Sequence, residues 1–221
     1  MRGTRIGIGR IMSATLAGGI LTVMGGCQLF GFFADAYQRE VPMSVAAEYK
    51  GLQDKTFGVV VAADRMIQAD YPGVVSGLTV RISETLAEHA GASGYAQPDL
   101  LLAKLYERPG WQAMTLGELA EYLGVDRLIY VDLYEFRLND PGNRYIWQGV
   151  AAGRVSVIEV DSALPDEPVF EKSVRVTYPD ADGYGEGEMS GSQVGTVLLM
   201  RFAERTAWTF YDHKEKRDLP Y

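Results

Sequence analysis

The hydropathy of the chain changes period several times, and each change predicts an element. Phe57-Gly58-Val59-Val60-Val61-Ala62-Ala63 is a continuous apolar run. Such a run, short and rich in β-branched residues, predicts a strand buried on both faces. The period then lengthens. Val75, Leu78, Ile82 and Leu86 recur at spacings of three and four, which predicts a helix over about 72–90 with one buried stripe. Asp70-Tyr71-Pro72 supplies its cap and an early proline, and Gly91 and Gly94 end it. Pro98-Asp99 opens a second, shorter helix carrying Leu101, Leu102 and Leu105, which Pro109-Gly110 stops. Thr115-Leu116-Gly117-Glu118 fits a capping box, so a third helix runs from there to Leu123, with Gly124 as its stop.

Beyond Gly124 the period falls to two. Arg127 to Leu138 is rich in β-branched and aromatic residues and predicts a strand. Asn139-Asp140-Pro141-Gly142-Asn143 is a turn, and Tyr145 to Val160 a long returning strand. In that strand Gln148, Arg154 and Ser156 alternate with Trp147, Val155 and Val157, which predicts one wetter face. Its small residues Gly149, Ala151, Ala152 and Gly153 mark a bulge or a close backbone approach. Val169 to Tyr178 is a third strand, Pro179 to Gly191 an exposed acidic loop, and Ser192 to His213 a closing helix whose apolar face carries Val194, Val197, Leu198 and Phe202. The expected fold is therefore α/β (α+β). It is a two-layer domain with a mixed sheet of about four strands covered by helices, in the order β-α-α-α-β-β-β-α.

Leu119-Ala120-Glu121-Tyr122-Leu123-Gly124-Val125-Asp126-Arg127-Leu128-Ile129-Tyr130-Val131 resembles the helix, Gly-x-Asp, strand passage of an exported α/β family. That family includes the N-terminal domain of the Tol translocation protein, the curli-secretion lipoproteins and the lipoprotein activators of penicillin-binding proteins. As an element order the resemblance spans about 55–213. It implies an envelope protein that works by binding other proteins, in some members as a ring, and it carries over no individual functional residue.

The N-terminal end agrees with export. Arg2, Arg5 and Arg10 precede an uncharged run of 14 residues, Ile11 to Met24. A positive start, a short apolar core and small residues at a cleavage point form the secretory signal pattern. Leu21-Thr22-Val23-Met24-Gly25-Gly26-Cys27 resembles a bacterial lipobox, with Met24 where leucine is usual. The resemblance implies cleavage between Gly26 and Cys27 and a lipid on the Cys27 thiol. It divides the chain into a signal peptide (1–26), a lipid-anchored tether (27–54), one α/β domain (55–213) and a mobile tail (214–221). A competing reading joins the apolar run through Phe33 into an uncleaved 23-residue anchor, because about 20 residues suffice to cross a bilayer. Both readings export the domain. The first favours the periplasmic side of the outer membrane over the inner membrane.

Charge narrows the partners. The chain carries 21 basic and 29 acidic residues, and three of the basic ones precede Cys27. The mature chain would thus hold 18 basic against 29 acidic residues, a net charge of −11. That argues against nucleic acid and against a basic patch on anionic lipid. Cys27 is the single cysteine, so neither disulfides nor cysteine zinc sites are available.

Candidate chemistry is sparse. His89 and His213 both fall near helix C-termini, where a cation is favoured. The acidic loop from Asp180 to Glu188 places Asp180, Asp182 and Gly185 at calcium-loop positions 1, 3 and 6. It offers Tyr184 and Gly191 where positions 5 and 12 need ligands, so no metal is expected. No phosphate loop or nucleophile elbow occurs in the sequence, and the expectation is a non-enzyme without a cofactor. The aromatic residues suggest more. Tyr130, Tyr134, Phe136, Tyr145 and Trp147 fall on two strands joined by one turn. They read as core packing and cross-strand pairing, or as a partly exposed patch in which Tyr134, Phe136, Tyr145 and Trp147 dock a partner. The expected function is that of a protein-binding envelope lipoprotein in secretion, envelope assembly or cell-wall control. It would be held on the membrane by its N-terminal lipid, with envelope proteins or further copies of itself as partners. The alternative is an exported small-ligand-binding or hydrolytic domain.

Overall fold

The computed structural model describes residues 42–143, 145–180, 183–185 and 187–215. Ser44–His213 belong to one compact unit, whereas Met43 and Lys214 belong to another. The short strands β1 (Met43–Val45) and β9 (His213–Glu215) lie across that boundary. The architecture that follows is that of the larger unit.

The apolar run forms β2 (Thr56–Ala63), with Phe57, Val59 and Val60 fully buried. A short helix follows, α1 (Arg65–Asp70), capped by the Asp64 carboxylate, which accepts from the Ile67 N–H at 2.8 Å. The long amphipathic helix α2 (Val74–His89) starts at Gly73 (φ 98°) rather than at Asp70, which ends α1 instead. A two-residue strand, β3 (Gly94–Tyr95), leads to α3 (Pro98–Glu107), a 3-10 turn at Trp111–Ala113, and α4 (Leu116–Leu123). The expected capping box is present: the Glu118 N–H donates to Thr115 Oγ1 and the Thr115 N–H to the Glu118 carboxylate. Gly124 takes the left-handed conformation (φ 76°) that ends a helix most readily without a Cβ.

Strands β4 (Arg127–Arg137), β6 (Gly149–Glu159) and β7 (Phe170–Tyr178) follow. A two-residue strand, β5 (Ile146–Trp147), precedes β6 and pairs with β8 (Tyr184–Gly185) in a small sheet of its own. The helix α5 (Gly191–Trp208) closes the unit and starts on a second capping box, Ser190 with Gln193. The main sheet has five strands in the order β3-β2-β4-β6-β7. Strand β2 runs parallel to β3 and β4, whereas β4, β6 and β7 are antiparallel, so the sheet is mixed as expected. The fifth strand is β3, which is too short to leave a period in the sequence.

Helices cover more than one face. Phe57, Val59, Val61, Ile129, Val131, Val155 and Val157 turn to a first face and form the larger core with Leu78, Ile82 and Leu86 of α2 and Leu198 and Phe202 of α5. Val60, Leu128 and Ile158 turn to the second face, under Leu101 and Leu105 of α3 and Leu119 and Leu123 of α4. The chain thus leaves β2 over one face, forms β3 at the edge and returns over the other face to β4. A partial third layer is added to the two expected. It also corrects the predicted wet face of β6: Ser156 is buried, and Arg154 is the exposed residue within Gly149–Ile158.

The Asp126 of the Gly-x-Asp passage has a structural task. Its carboxylate accepts from Thr56 N (2.9 Å) and Thr56 Oγ1 (2.7 Å), locking the start of β2 against β4. Those bonds hold its carboxyl below the usual carboxylate range. Next to it Arg127 is 5% exposed and donates to Asp161 Oδ1 (2.6 Å) and to the Gly51 carbonyl (3.2 Å). Leu52 is fully buried and Tyr49 Oη donates to Glu159 (2.7 Å). The tether expected to reach residue 54 therefore gives way to packed domain well before it. Residues 43–45, within the expected tether, form a short strand.

Candidate interaction surface

The second face of the sheet is covered only where β2 and β4 begin. Farther along, α3 and α4 leave it, and the side chains turn to water. Cross-strand register sets three rows there: Tyr130, Ser156 and Glu171; Asp132, Arg154 and Ser173; Glu135, Ala152 and Arg175. Asp132, Arg154, Glu171, Ser173 and Arg175 are all exposed.

A bulge in β4 shapes this face. Leu133 pairs with Gly153 but Glu135 pairs with Ala152, so Tyr134 is an extra residue. A bulge sets two consecutive residues against one and shifts the alternation beyond it. Tyr134 is 52% exposed, while Phe136 is 6% exposed and stacks edge-on against Tyr71 at 4.9 Å. Gly153 permits the close approach, because a Cβ there would stand 2.9 Å from both the Asp132 carbonyl and Phe202 Cζ.

Electrostatically the face is cross-linked. Glu135 receives Arg137 Nε at 2.8 Å and Arg175 Nη1 at 2.6 Å. Burial alone would raise the Glu135 pKa, but these two guanidinium groups hold its carboxyl below the usual range. Burial, with help from Asp132, pushes the Tyr130 hydroxyl up, so it stays protonated and able to donate.

Of the four aromatic residues expected to dock a partner, the structure separates rather than groups them. Tyr134 stands on the open face. Phe136 belongs to the core and is unavailable to a partner, because the bulge breaks the period-two count that placed it beside Tyr134. Tyr145 is 80% exposed, just before β5. Trp147 is half-buried, donates from Nε1 to the Met189 carbonyl (2.8 Å) and lies over Gly191, where a Cβ would come within 2.9 Å of its ring. Its task is to seat the β5–β8 arm on the start of α5. Asp180, weighed as a calcium ligand, is engaged by the Arg201 guanidinium, which also lies 4.7 Å over the Tyr178 ring. Asp182 and Glu186 lie outside the described residues, as do Gly26 and Cys27.

A second feature was not foreseen. A groove of about 380 Å³ runs between α2 and α5, lined by Arg81, Glu84, Glu88, His89, Glu204 and Tyr211, among others. A neighbouring groove of about 400 Å³ shares His89 and Tyr211. These two rings stack at 4.8 Å and form the wall between the grooves. His89 also bonds through Nδ1 to the Thr85 carbonyl (2.9 Å), which fixes the ring. The first groove takes its lining from α2 and from α5 with Tyr211 just beyond it, more than 100 positions apart, and nothing in their local sequence signals that they meet. Glu171, Ser173 and Arg175, in contrast, could have been read from the alternation of β7.

Among the described residues no helix is long and apolar enough to cross a membrane, and no cluster of three or more metal-type ligands occurs. No protein-family model matches the chain, and no curated protein matches it. Several solved structures are similar at low identity. One is the PelC dodecamer from Paraburkholderia phytofirmans: 13% identity, 77% of this chain and 96% of that one covered, TM-score 0.43. Another is lipoprotein GNA1162 from Neisseria meningitidis: 12% identity, 65% and 92% covered, TM-score 0.42. A third is hypothetical protein CT253 from Chlamydia trachomatis: 14% identity, 68% and 92% covered, TM-score 0.39. At these scores the likenesses assign neither a family nor a role.

Proposed function

We propose that the chain is a non-catalytic bacterial envelope lipoprotein. It is anchored through Cys27 on the periplasmic side of the outer membrane and binds other envelope proteins through the uncovered half of its sheet. The observation that carries the anchor is the sequence before Cys27: three arginines, 14 uncharged residues and two glycines. The open face supports the binding half of the reading. It combines an exposed tyrosine, Tyr134, with Asp132, Arg154 and Arg175 on rigid strands. Aromatic and arginine side chains are the residues that dominate protein interfaces.

The experiment is the intact mass of the protein extracted from its native membrane. A mass equal to Cys27–Tyr221 plus acyl chains is expected. A full-length mass without lipid would replace the lipoprotein with an uncleaved anchor over Ile11 to Phe33 and remove the argument for the outer membrane.

A second reading has one observation in its favour, the paired grooves around His89 and Tyr211. Together they present five carboxylates (Glu84, Glu88, Glu204, Asp54 and Asp212) against Arg81, Lys50 and His89, which suits a small polar ligand bearing a positive charge. Quenching or shift of Tyr211 fluorescence on titration with polyamines and basic amino acids would support it. A flat titration, with unchanged thermal stability, would leave the grooves as surface relief.

A further inference from the structure

Strand β7 ends the main sheet and is paired on one side only, with β6. The direction of its backbone groups can be read from two bonds. Phe170 stands opposite Val157, and the adjoining Val169 N–H already donates to the Val157 carbonyl at 2.9 Å. Phe170 and every second residue after it therefore turn their backbone groups toward β6, and the residues between turn theirs outward. Thr177, one of those between, agrees: its carbonyl accepts from Arg201 Nη1 on α5 at 3.0 Å. Outside the ladder to β6, and among the described residues, no hydrogen bond reaches the backbone of Glu171, Ser173 or Arg175. The strand is nine residues long and contains no proline. An open edge of that kind is a template for another strand.

The side chains along the edge select the occupant. In a two-fold pairing of β7 with itself, outward residues must face outward residues, which leaves a few registers. Centring on Glu171 sets glutamate against glutamate, and centring on Arg175 sets arginine against arginine. Centring on Ser173 sets each Glu171 against an Arg175, twice, with the serines facing each other on the axis. On the first face the same register sets Phe170 against Val176, and beyond the strand it sets Val169, 47% exposed, against Thr177. Opposite charges and serine pairs directly across strands are favourable, and like charges are not. Glu171 and Arg175 are exposed and held in place from within their own copy, by Ser156 and by Glu135.

We propose that this edge is a homodimer interface: β7 pairs antiparallel with β7 of a second copy about a two-fold axis at Ser173, joining the two main sheets into one. The contact is isologous, as closed dimers require. It does not depend on the anchor, and would stand if the chain proved to be uncleaved.

The test uses the full-length protein in detergent under a mild oxidant. The Cα atoms of a directly opposed, hydrogen-bonded pair lie about 5.5 Å apart, within the range of about 4.4–6.8 Å that a disulfide spans. Ser173→Cys is expected to give a disulfide dimer, with the unsubstituted chain reporting any bond through Cys27. Glu171→Cys and Arg175→Cys are expected to cross-link when mixed but not alone, because each residue lies roughly 14 Å along the strand from its own symmetry mate. Native mass spectrometry gives an independent reading without cysteines. Glu171→Arg and Arg175→Glu are each expected to weaken the dimer by on the order of tenfold, and the combined exchange to restore it. Circular dichroism of each variant establishes that it is folded. A strictly monomeric native chain overturns the proposal. So do a Ser173→Cys chain that cross-links no more than the unsubstituted one, and a dimer that survives both single reversals.

Discussion

β2 and β7 belong to one sheet and have opposite surroundings. In β2, Phe57, Val59 and Val60 are fully buried and the strand has no charged side chain, because α2 lies over one face and α3 and α4 over the other. In β7, Val174 and Val176 face the core under α5, while Glu171, Ser173 and Arg175 face water. Coverage, more than strand propensity, separates the two. The parallel half is a scaffold with dry surfaces on both sides, as crossover helices require. The antiparallel half is half-covered and carries the charged rows, the bulge and the open edge. The two protein-docking readings above, the open face and the β7 edge, fall on that half because the other has little sheet surface left to offer.

The sharpest way to break this comparison is to empty a core position in each layer. Leu128 and Ile129 are adjacent in β4, both fully buried, and turn to opposite faces. Leu128→Ala and Ile129→Ala are each expected to cost about 2–5 kcal/mol in urea unfolding. Arg154→Ala and Ser173→Ala on the open half are expected to stay within about 0.5 kcal/mol. A Leu128→Ala loss as small as that of Arg154→Ala would mean that α3 and α4 do not seal the second face.

The junction between the halves is more tolerant than the core and less so than the surface. Gly153→Ala pushes a Cβ into the Asp132 carbonyl and the Phe202 ring. Backbone cannot yield as a flexible side chain does, so a loss of about 1–3 kcal/mol is expected, measured by the same unfolding curves. Full stability in this variant would show that the bulge can relax.

Acid should act through named carboxylates in both halves. Asp161 is held far below the ordinary range by Arg127 and Lys55, Asp126 by Thr56, Asp180 by Arg201 and Asp212 by Ala47 and Lys50. In each case the folded value lies below the unfolded one. The stability they contribute is therefore fully present above about pH 4, near the unfolded value, and is lost as the pH falls through the folded values. Thermal unfolding from pH 7 down to pH 2 is expected to show a flat Tm until roughly pH 4 and a decline below it. A Tm that already falls between pH 7 and pH 5 would point to other groups.

Local signals made much of this fold legible. Thr115 with Glu118 and Gly124 bounded α4 within a residue, and the apolar run marked β2 as buried on both faces. The same signals could not show Leu52 and Tyr49 as parts of the domain: Leu52 joins a core built from distant elements, and the partners of Tyr49, Glu159, Phe170 and Phe210, lie more than 100 residues on. Arg127 read only as the first residue of a strand, yet it closes the base of the sheet between Gly51 and Asp161. The exposure of the candidate docking residues was half legible. Tyr134 and Tyr145 are exposed as the partner-docking reading requires. Phe136 was misplaced because one inserted residue reverses every face assignment after it, and Trp147 because its cap on α5 lies more than 40 residues away.

Tyr134 gives the finest test of the contrast. Its side chain stands on the open face at a bulge, where it contributes little to the core, so Tyr134→Ala is expected to change unfolding by less than about 0.5 kcal/mol. Phe136→Ala, two residues on, should cost about 3–5 kcal/mol. If the open face docks an envelope protein, the order reverses for binding. A photocrosslinking residue placed at Arg154 should lose its adduct in the Tyr134→Ala background while the protein remains fully folded. An adduct that persists at the same yield, with stability unchanged, would mean that Tyr134 is exposed without being used. The binding role would then pass to Tyr145 and the β5–β8 arm.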